Sequence, residues 1–163
     1  MKQIGQGNFG VVSKALLSEL PGQPGYLVAV KVLQDFDSNA RSDLLREAAI
    51  MAQFQHHCVV GLVGVVTVDV PVMVVLEYCE NGSLHKYLNE SQLSLHEQLQ
   101  LATDCVQGLS YLSSRKFVHR DIAARNVLLD SEHRAKIGDF GMSRDLVGST
   151  YYRATSRGQV FNL

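Results

Sequence analysis

The stretch from Phe117 to Leu129, FVHRDIAARNVLL, constrains the fold of this chain more than any other. Two apolar runs, each fit for a core, hold between them His119, Arg120, Asp121, Arg125 and Asn126, groups whose burial without partners is costly. The chain has to bury both ends of this segment and still deliver its middle to a place where charge is useful. The rest of the chain can supply that core: 163 residues, 46% hydrophobic and 19% charged, is the composition of one soluble globular domain. A formal net charge of -1 gives no basic field to draw it onto nucleic acid or an anionic membrane. Cys58, Cys79 and Cys105 are odd in number and widely spaced, which suits free thiols in a reducing compartment, and no signal-peptide pattern opens the sequence. The expected location is cytoplasmic.

The valine-rich run Val59 to Leu76 is long enough to cross a bilayer. Its β-branched residues, with Asp69 and Pro71 inside it, instead predict two paired, buried strands and no membrane span, because a charge near the centre of a span is expensive. Upstream, Ile4 to Val12 is a glycine-rich turn and Tyr26 to Leu33 a strand carrying one lysine. From about Ser38, Leu44, Leu45, Ala48, Met51 and Phe54 recur at helical spacing, with Glu47 inside the pattern. A polar bend at Glu80 to Ser83 then separates a β-rich half from a mainly helical one. There a short helix runs to about Asn89 and a longer one from about Ser94 to Ser113, with Leu95, Leu99, Ala102, Val106 and Leu109 as its apolar stripe.

Three features carry chemistry only in combination. Gly5-x-Gly7-x-x-Gly10 is followed by a strand, not a helix, so two readings stay open: a hairpin that needs glycine for positive φ, or one whose N–H groups lie over phosphates. Lys31 among valines is ordinarily a lysine that snorkels to water, and Glu47 ordinarily a solvated helix residue. His56, His57 and Cys58 cluster, but the sequence offers no further ligands at metal spacing and so favours a reading without zinc. The order changes the reading. A glycine-rich hairpin, VAVK, a helix bearing a glutamate, HRDIAARN and GDFG are the parts a phosphoryl-transfer site needs, in one sequence order.

With those motifs the chain resembles the protein kinases from Ile4 to about Arg157. HRDIAARN with TYYR at Thr150 to Arg153 is similar to the tyrosine-specific branch, of the insulin and neurotrophin receptor kind. The resemblance implies an α+β, two-lobed fold, with residues 1–79 as N-lobe and hinge and 80–163 as an incomplete C-lobe ending in the activation loop. It implies ATP and Mg²⁺ as cofactors. Gly5, Gly7 and Gly10 would cover the phosphates. Val12, Ala29 and Leu128 would sandwich the adenine, Glu77 to Cys79 would hydrogen-bond it, and Leu76 would guard the space behind it. Lys31, aimed by Glu47, would pair with the α- and β-phosphates. Asn126 and Asp139 would be the metal ligands, Asp121 the base that receives the substrate hydroxyl, and Arg125 a neighbour of the acceptor phenol. Met51, Leu62, His119 and Phe140 would form the packed spine that joins the lobes. Tyr151 and Tyr152 would be activation-loop phosphosites read by Arg120.

The implied activity is transfer of the ATP γ-phosphoryl group to tyrosine hydroxyls of proteins, with dimerisation of the parent for trans-autophosphorylation. The alternative is a catalytically incompetent, nucleotide-binding or regulatory kinase-like module. The family's docking segment, its APE motif and several further helices do not follow here, so the sequence is expected to be a truncated catalytic domain. Those helices cover the apolar side of Leu99 to Leu112, and an exposed hydrophobic patch is expected in their place.

Overall fold

The computed structural model describes residues 2–7, 10–18, 20, 22–33, 38–68, 71–141 and 144–145. Strands β1 (Lys2–Gly7), β2 (Gly10–Leu17), β3 (Tyr26–Val32), β4 (Leu62–Val66) and β5 (Met73–Glu77) form one antiparallel sheet in the order β1-β2-β3-β5-β4. The central strand is the β-branched YLVAVKV, which buries Val28, Ala29, Val30 and Lys31 in succession. Gly10 turns the first hairpin at φ +139°, and a Cβ there would stand 2.0 Å from the Val32 carbonyl oxygen, so only glycine fits.

Helix α1 (Ser38–Met51) lies between β3 and β4 in the chain and packs Leu44 and Ala48 against Val74 of the sheet and Val72 just before β5. Helices α2 (Leu84–Glu90) and α3 (Leu95–Ser114) follow. Ser83 caps the first, and Ser94 with Glu97 forms a reciprocal capping box on the second. The remaining strands are short: β6 (Phe117–Val118) pairs with β9 (Arg144–Asp145), and β7 (Val127–Leu129) with β8 (Ala135–Ile137). The two apolar runs around the polar segment are therefore β6 and β7, and both bury side chains in the main core.

That core draws on both halves of the chain. Met51, Phe54, Val59 and Val60 pack with Leu101, Leu112, Phe117, Ile137 and Phe140. Phe54 meets Phe117 edge-on at 4.8 Å between ring centroids and lies 5.4 Å from Phe140. Cys58 and Val60 also hydrogen-bond Ile137 through the backbone, at 2.9 Å each.

Two sequence expectations need correction. The strands of the valine-rich run do pair, Leu62 opposite Leu76 and Val66 opposite Met73. However, β4 is a sheet edge that alternates, leaving Val63 and Val65 exposed, while Val59 and Val60 are buried outside the sheet. The stripe read on α3 is split: Leu109 packs against the main core, whereas Leu95, Leu99 and Val106 are exposed, in keeping with the patch expected along Leu99 to Leu112, and the buried residues are Leu101, Asp104, Gly108 and Leu112. At about 100° per residue these two sets lie on opposite sides of the helix. The buried side is fixed by groups that hydropathy discounts. Asp104, fully buried, takes the Arg134 guanidinium at 2.9 and 2.6 Å and the Ala135 N–H at 3.1 Å. Gly108 lets α3 approach Cys58 and β8 so closely that an added Cβ would lie 2.6 Å from the Cys58 carbonyl.

Candidate active site

Lys31 occupies the middle of β3, opposite Val12 on β2 and Val74 on β5, with its side chain 11% exposed. An ammonium placed so deep requires a counter-charge, and α1 delivers one. Lys31 Nζ donates to Glu47 Oε2 at 2.7 Å and to Oε1 at 2.9 Å. Glu47 sits on the helix face that also carries Leu44, Ala48 and Met51, so the packing that seats α1 aims the carboxylate.

The polar segment between β6 and β7 is equally ordered. Asp121 accepts from Asn126 Nδ2 at 2.8 Å on Oδ2 and from Arg125 Nη2 at 2.6 Å on Oδ1, and its carbonyl accepts Asn126 Nδ2 as well, at 2.8 Å. The Asn126 bond foremost, opposed by burial, and then Arg125 hold the Asp121 carboxyl below the usual range, so it is ionised at neutral pH. Because Asn126 spends its NH2 group on Asp121, its Oδ1 is the atom that can face a cation.

His119 ties this loop to the Gly138–Gly141 turn. Its Nε2 donates to the Gly138 carbonyl at 2.9 Å, and its Nδ1 accepts the Asp121 N–H at 3.4 Å. Burial is the largest cause that lowers its pKa, and the neutral ring with the proton on Nε2 satisfies both bonds. The Gly138 N–H returns to the Asn126 carbonyl at 2.8 Å. Arg120 and Asp139 both have left-handed backbones, with φ of +71° and +59°. Such conformations cost of order 1 kcal/mol in a non-glycine residue and cluster where a chain is held for a purpose.

The expected residues thus form two directly bonded groups, Lys31 with Glu47 and Asp121 with Arg125 and Asn126. They are linked through packing, since Met51 and Phe54 next to α1 share a core with Phe140, whose ring lies 5.0 Å from His119. Asp139 precedes Phe140 in that turn. Met51 and Phe140 are buried in the main core, Leu62 packs against that core, and His119 is buried beside Phe140. Gly5, Gly7 and Gly10 lie in the first hairpin, and Val12 and Ala29 on the adjoining strands. Leu128 is on β7, beside Ser83.

Glu77 ends β5 and Cys79 follows it, buried, with a thiol pushed up to about 12 chiefly by that burial. Asn126 and Asp139 offer an amide oxygen and a carboxylate, the hard donor set that Mg²⁺ takes. Tyr151 and Tyr152 lie outside the described residues. Sequence reasoning missed the ion pair between Glu77 and Lys136, at 2.8 Å, and the backbone role of Gly138. Neither has a local pattern, because each depends on a partner far away in the chain. The groove of about 700 Å³ bordered by Phe54, His56, His57, Leu62 and Glu77 contains neither Lys31 nor Asp121.

Comparison with known proteins agrees with this geometry. The model of the protein tyrosine and serine/threonine kinase family matches residues 1–161. The chain is 41% identical to the high affinity nerve growth factor receptor of Gallus gallus, over 95% of this chain and 22% of that protein. It is 38% identical to the insulin receptor of Xenopus laevis, over 97% of this chain and 13% of that protein. It is 43% identical to Fer-related kinase 1 of Caenorhabditis elegans, over 87% of this chain and 36% of that protein. The chain therefore spans a minor part of the length of each of these relatives. With its ordered motifs, its two-part fold and a family match that runs almost from end to end, it belongs to the protein kinases.

Proposed function

We propose that residues 1–163 are part of the catalytic domain of a protein-tyrosine kinase, with 1–79 as N-lobe and hinge and 80–163 as an incomplete C-lobe. The observation that carries this reading is the buried pair of Lys31 and Glu47, at 2.7 Å. An ion pair so far from water is a weak source of stability, and it makes sense as a cation kept aimed at an anionic ligand. When bound, MgATP supplies the transferable phosphoryl group and the cation that neutralises its charge.

The chain's own residues do the rest. Gly5, Gly7 and Gly10 bring backbone N–H groups over the phosphates, and Lys31 meets their charge. Val12, Ala29 and Leu128 enclose the adenine, while the backbone of Glu77 to Cys79 hydrogen-bonds it. Asn126 and Asp139 hold Mg²⁺ through oxygen. Asp121, ionised and clamped by Asn126, accepts a hydrogen bond from the incoming hydroxyl and takes its proton late. Arg125, exposed beside Asp121, and Ala123, where serine and threonine kinases usually carry lysine, support tyrosine as the acceptor. Tyr151 and Tyr152 are proposed as phosphosites, with the parent dimerising to modify them in trans. A cytoplasmic location suits this substrate class, and among the described residues no helix is long and apolar enough to cross a membrane.

The test is a MgATP assay on a tyrosine-containing copolymer, with the chain and a longer protein from the same locus, each beside its Asp121→Asn variant. Phosphotyrosine that disappears in the variants supports the proposal. Nucleotide binding without transfer in both proteins would favour the regulatory reading and sink this one.

A further inference from the structure

We propose that His56, His57 and Cys58, completed by Gln107 of α3, form a binding site for a zinc-class divalent cation, separate from the site of phosphoryl transfer. The donor atoms of the three consecutive residues lie within 4.8 Å of one another. A tetrahedral ion at about 2.3 Å from sulfur and 2.0–2.1 Å from nitrogen requires donors about 3.5 Å apart, so each has to shift by roughly 1 Å or less. Thiolate with imidazole is the donor set that selects zinc over the hard cations of a nucleotide site.

The sequence lacked a fourth donor, and α3 provides it. Gln107 Oε1 stands 3.1 Å from His57 Nε2 and 3.6 Å from Cys58 Sγ, the spacing that two ligands of one tetrahedral ion have from each other. His56 Nδ1 accepts the Cys58 N–H at 3.1 Å, and its lone pair is thereby turned into the loop; coordination exchanges that hydrogen bond for the metal. On binding, a Zn–S bond replaces the S–H bond of Cys58 and the proton leaves to water.

The loop is fixed before any ion arrives. His56 stacks on His57 at 4.2 Å and on Tyr111 at 4.7 Å. The Gln55 N–H donates to the Tyr111 hydroxyl at 3.0 Å, and the Cys58 carbonyl accepts the Ile137 N–H at 2.9 Å. The Lys136 ammonium, close enough to bear on His56, is offset by Glu77 at 2.8 Å. Cys58 is fully buried, while His57 and Gln107 are exposed and mark the way in. An ion here would join the loop after α1, already hydrogen-bonded to β8, to α3.

The test is titration of the full chain with Zn²⁺ against a chromophoric chelator, and with Co²⁺ followed by absorption. Expected are about one ion per chain, a thiolate-to-cobalt band in the near ultraviolet, and a rise in Tm on Zn²⁺ addition. Cys58→Ser should lose the band. His57→Gln and Gln107→Leu, which change exposed side chains and should leave the metal-free circular dichroism and Tm as they are, should weaken Zn²⁺ about 10- to 100-fold. No uptake, uptake equal in wild type and His57→Gln, or a cobalt spectrum without the thiolate band would overturn the assignment and leave only surface imidazole binding. None of these readouts depends on phosphoryl transfer, so the two proposals fail separately.

Discussion

At Lys31 one atom serves two demands, since its ammonium must be buried to reach a ligand and paired to be buried at all. Lys31→Met leaves the Glu47 carboxylate 6% exposed and without its counter-charge, and breaking a buried pair from one side costs about 3–5 kcal/mol. Adding Glu47→Gln should recover part of that loss. Urea unfolding of the two single variants and the double checks it, and equal stability of wild type and Lys31→Met would contradict it. Asp104 carries a pH dependence. Burial pushes its carboxyl up, but Arg134, the Ala135 N–H and Gln100 together bring it below the ordinary 3.8. Its stabilisation is thus present above the unfolded value and is lost as pH falls through the folded one. Asp104→Asn should cost about 2–3 kcal/mol at neutral pH, less than a fully buried pair because Arg134 is 41% exposed. The cost should shrink below pH 4, as measured by acid titration of wild type and variant. Asp121 and Asn126 could be read from sequence because they interrupt two apolar runs, and Lys31 and Glu47 only through the order of motifs in which they stand. Asp104 could not, since its partner is thirty positions away and an aspartate on a helix ordinarily faces water.

Helix α3 shows how the extent of an element can be legible while its most deeply buried face is not. Its start at about Ser94 was legible, the structure shows Ser94 and Glu97 capping it reciprocally, and Ser94→Ala should lower stability by about 1 kcal/mol in a thermal melt. Its orientation was not legible, because apolar residues occur on both sides and the choice is made by Gly108 and Asp104. This gives a prediction in which two effects oppose. By helix propensity, Gly108→Ala should stabilise by about 1 kcal/mol. By packing, the new methyl group meets the Cys58 carbonyl at 2.6 Å and Ile137 Cγ1 at 2.9 Å, and the first of these is backbone that cannot turn aside. Overpacking of that kind costs about 1–3 kcal/mol, so packing should win and Tm should fall. A higher Tm would mean that α3 can move off β8 cheaply. In the same way β4 was legible as a strand but not as an edge: edge or centre depends on which strands arrive on either side, and no strand encodes that by itself.

For the whole molecule, the motif order announced the fold before any periodicity did, and the joining of its halves emerged only in three dimensions. Phe54, Phe117 and Phe140 are each ordinary apolar residues in sequence, yet their rings make one cluster across the molecule. What that core leaves uncovered has a consequence for solution behaviour. Leu95, Leu99 and Val106 point the same way from α3, at 70%, 58% and 64% exposure. Each is a large apolar side chain in contact with water, and contiguous exposure of this kind promotes association. The net charge of only -1 supplies little repulsion to oppose it. The chain by itself should therefore self-associate as concentration rises, and association should weaken on cooling, as hydrophobic contacts do. Leu99→Glu with Val106→Lys should keep it monomeric in sedimentation velocity. The pair should leave Tm at low concentration nearly unchanged, because neither side chain contributes to the buried face. If the double variant associates as wild type does, the contact lies elsewhere; if its Tm drops by several degrees, those side chains are packed within the monomer and the exposed face of α3 has been misassigned.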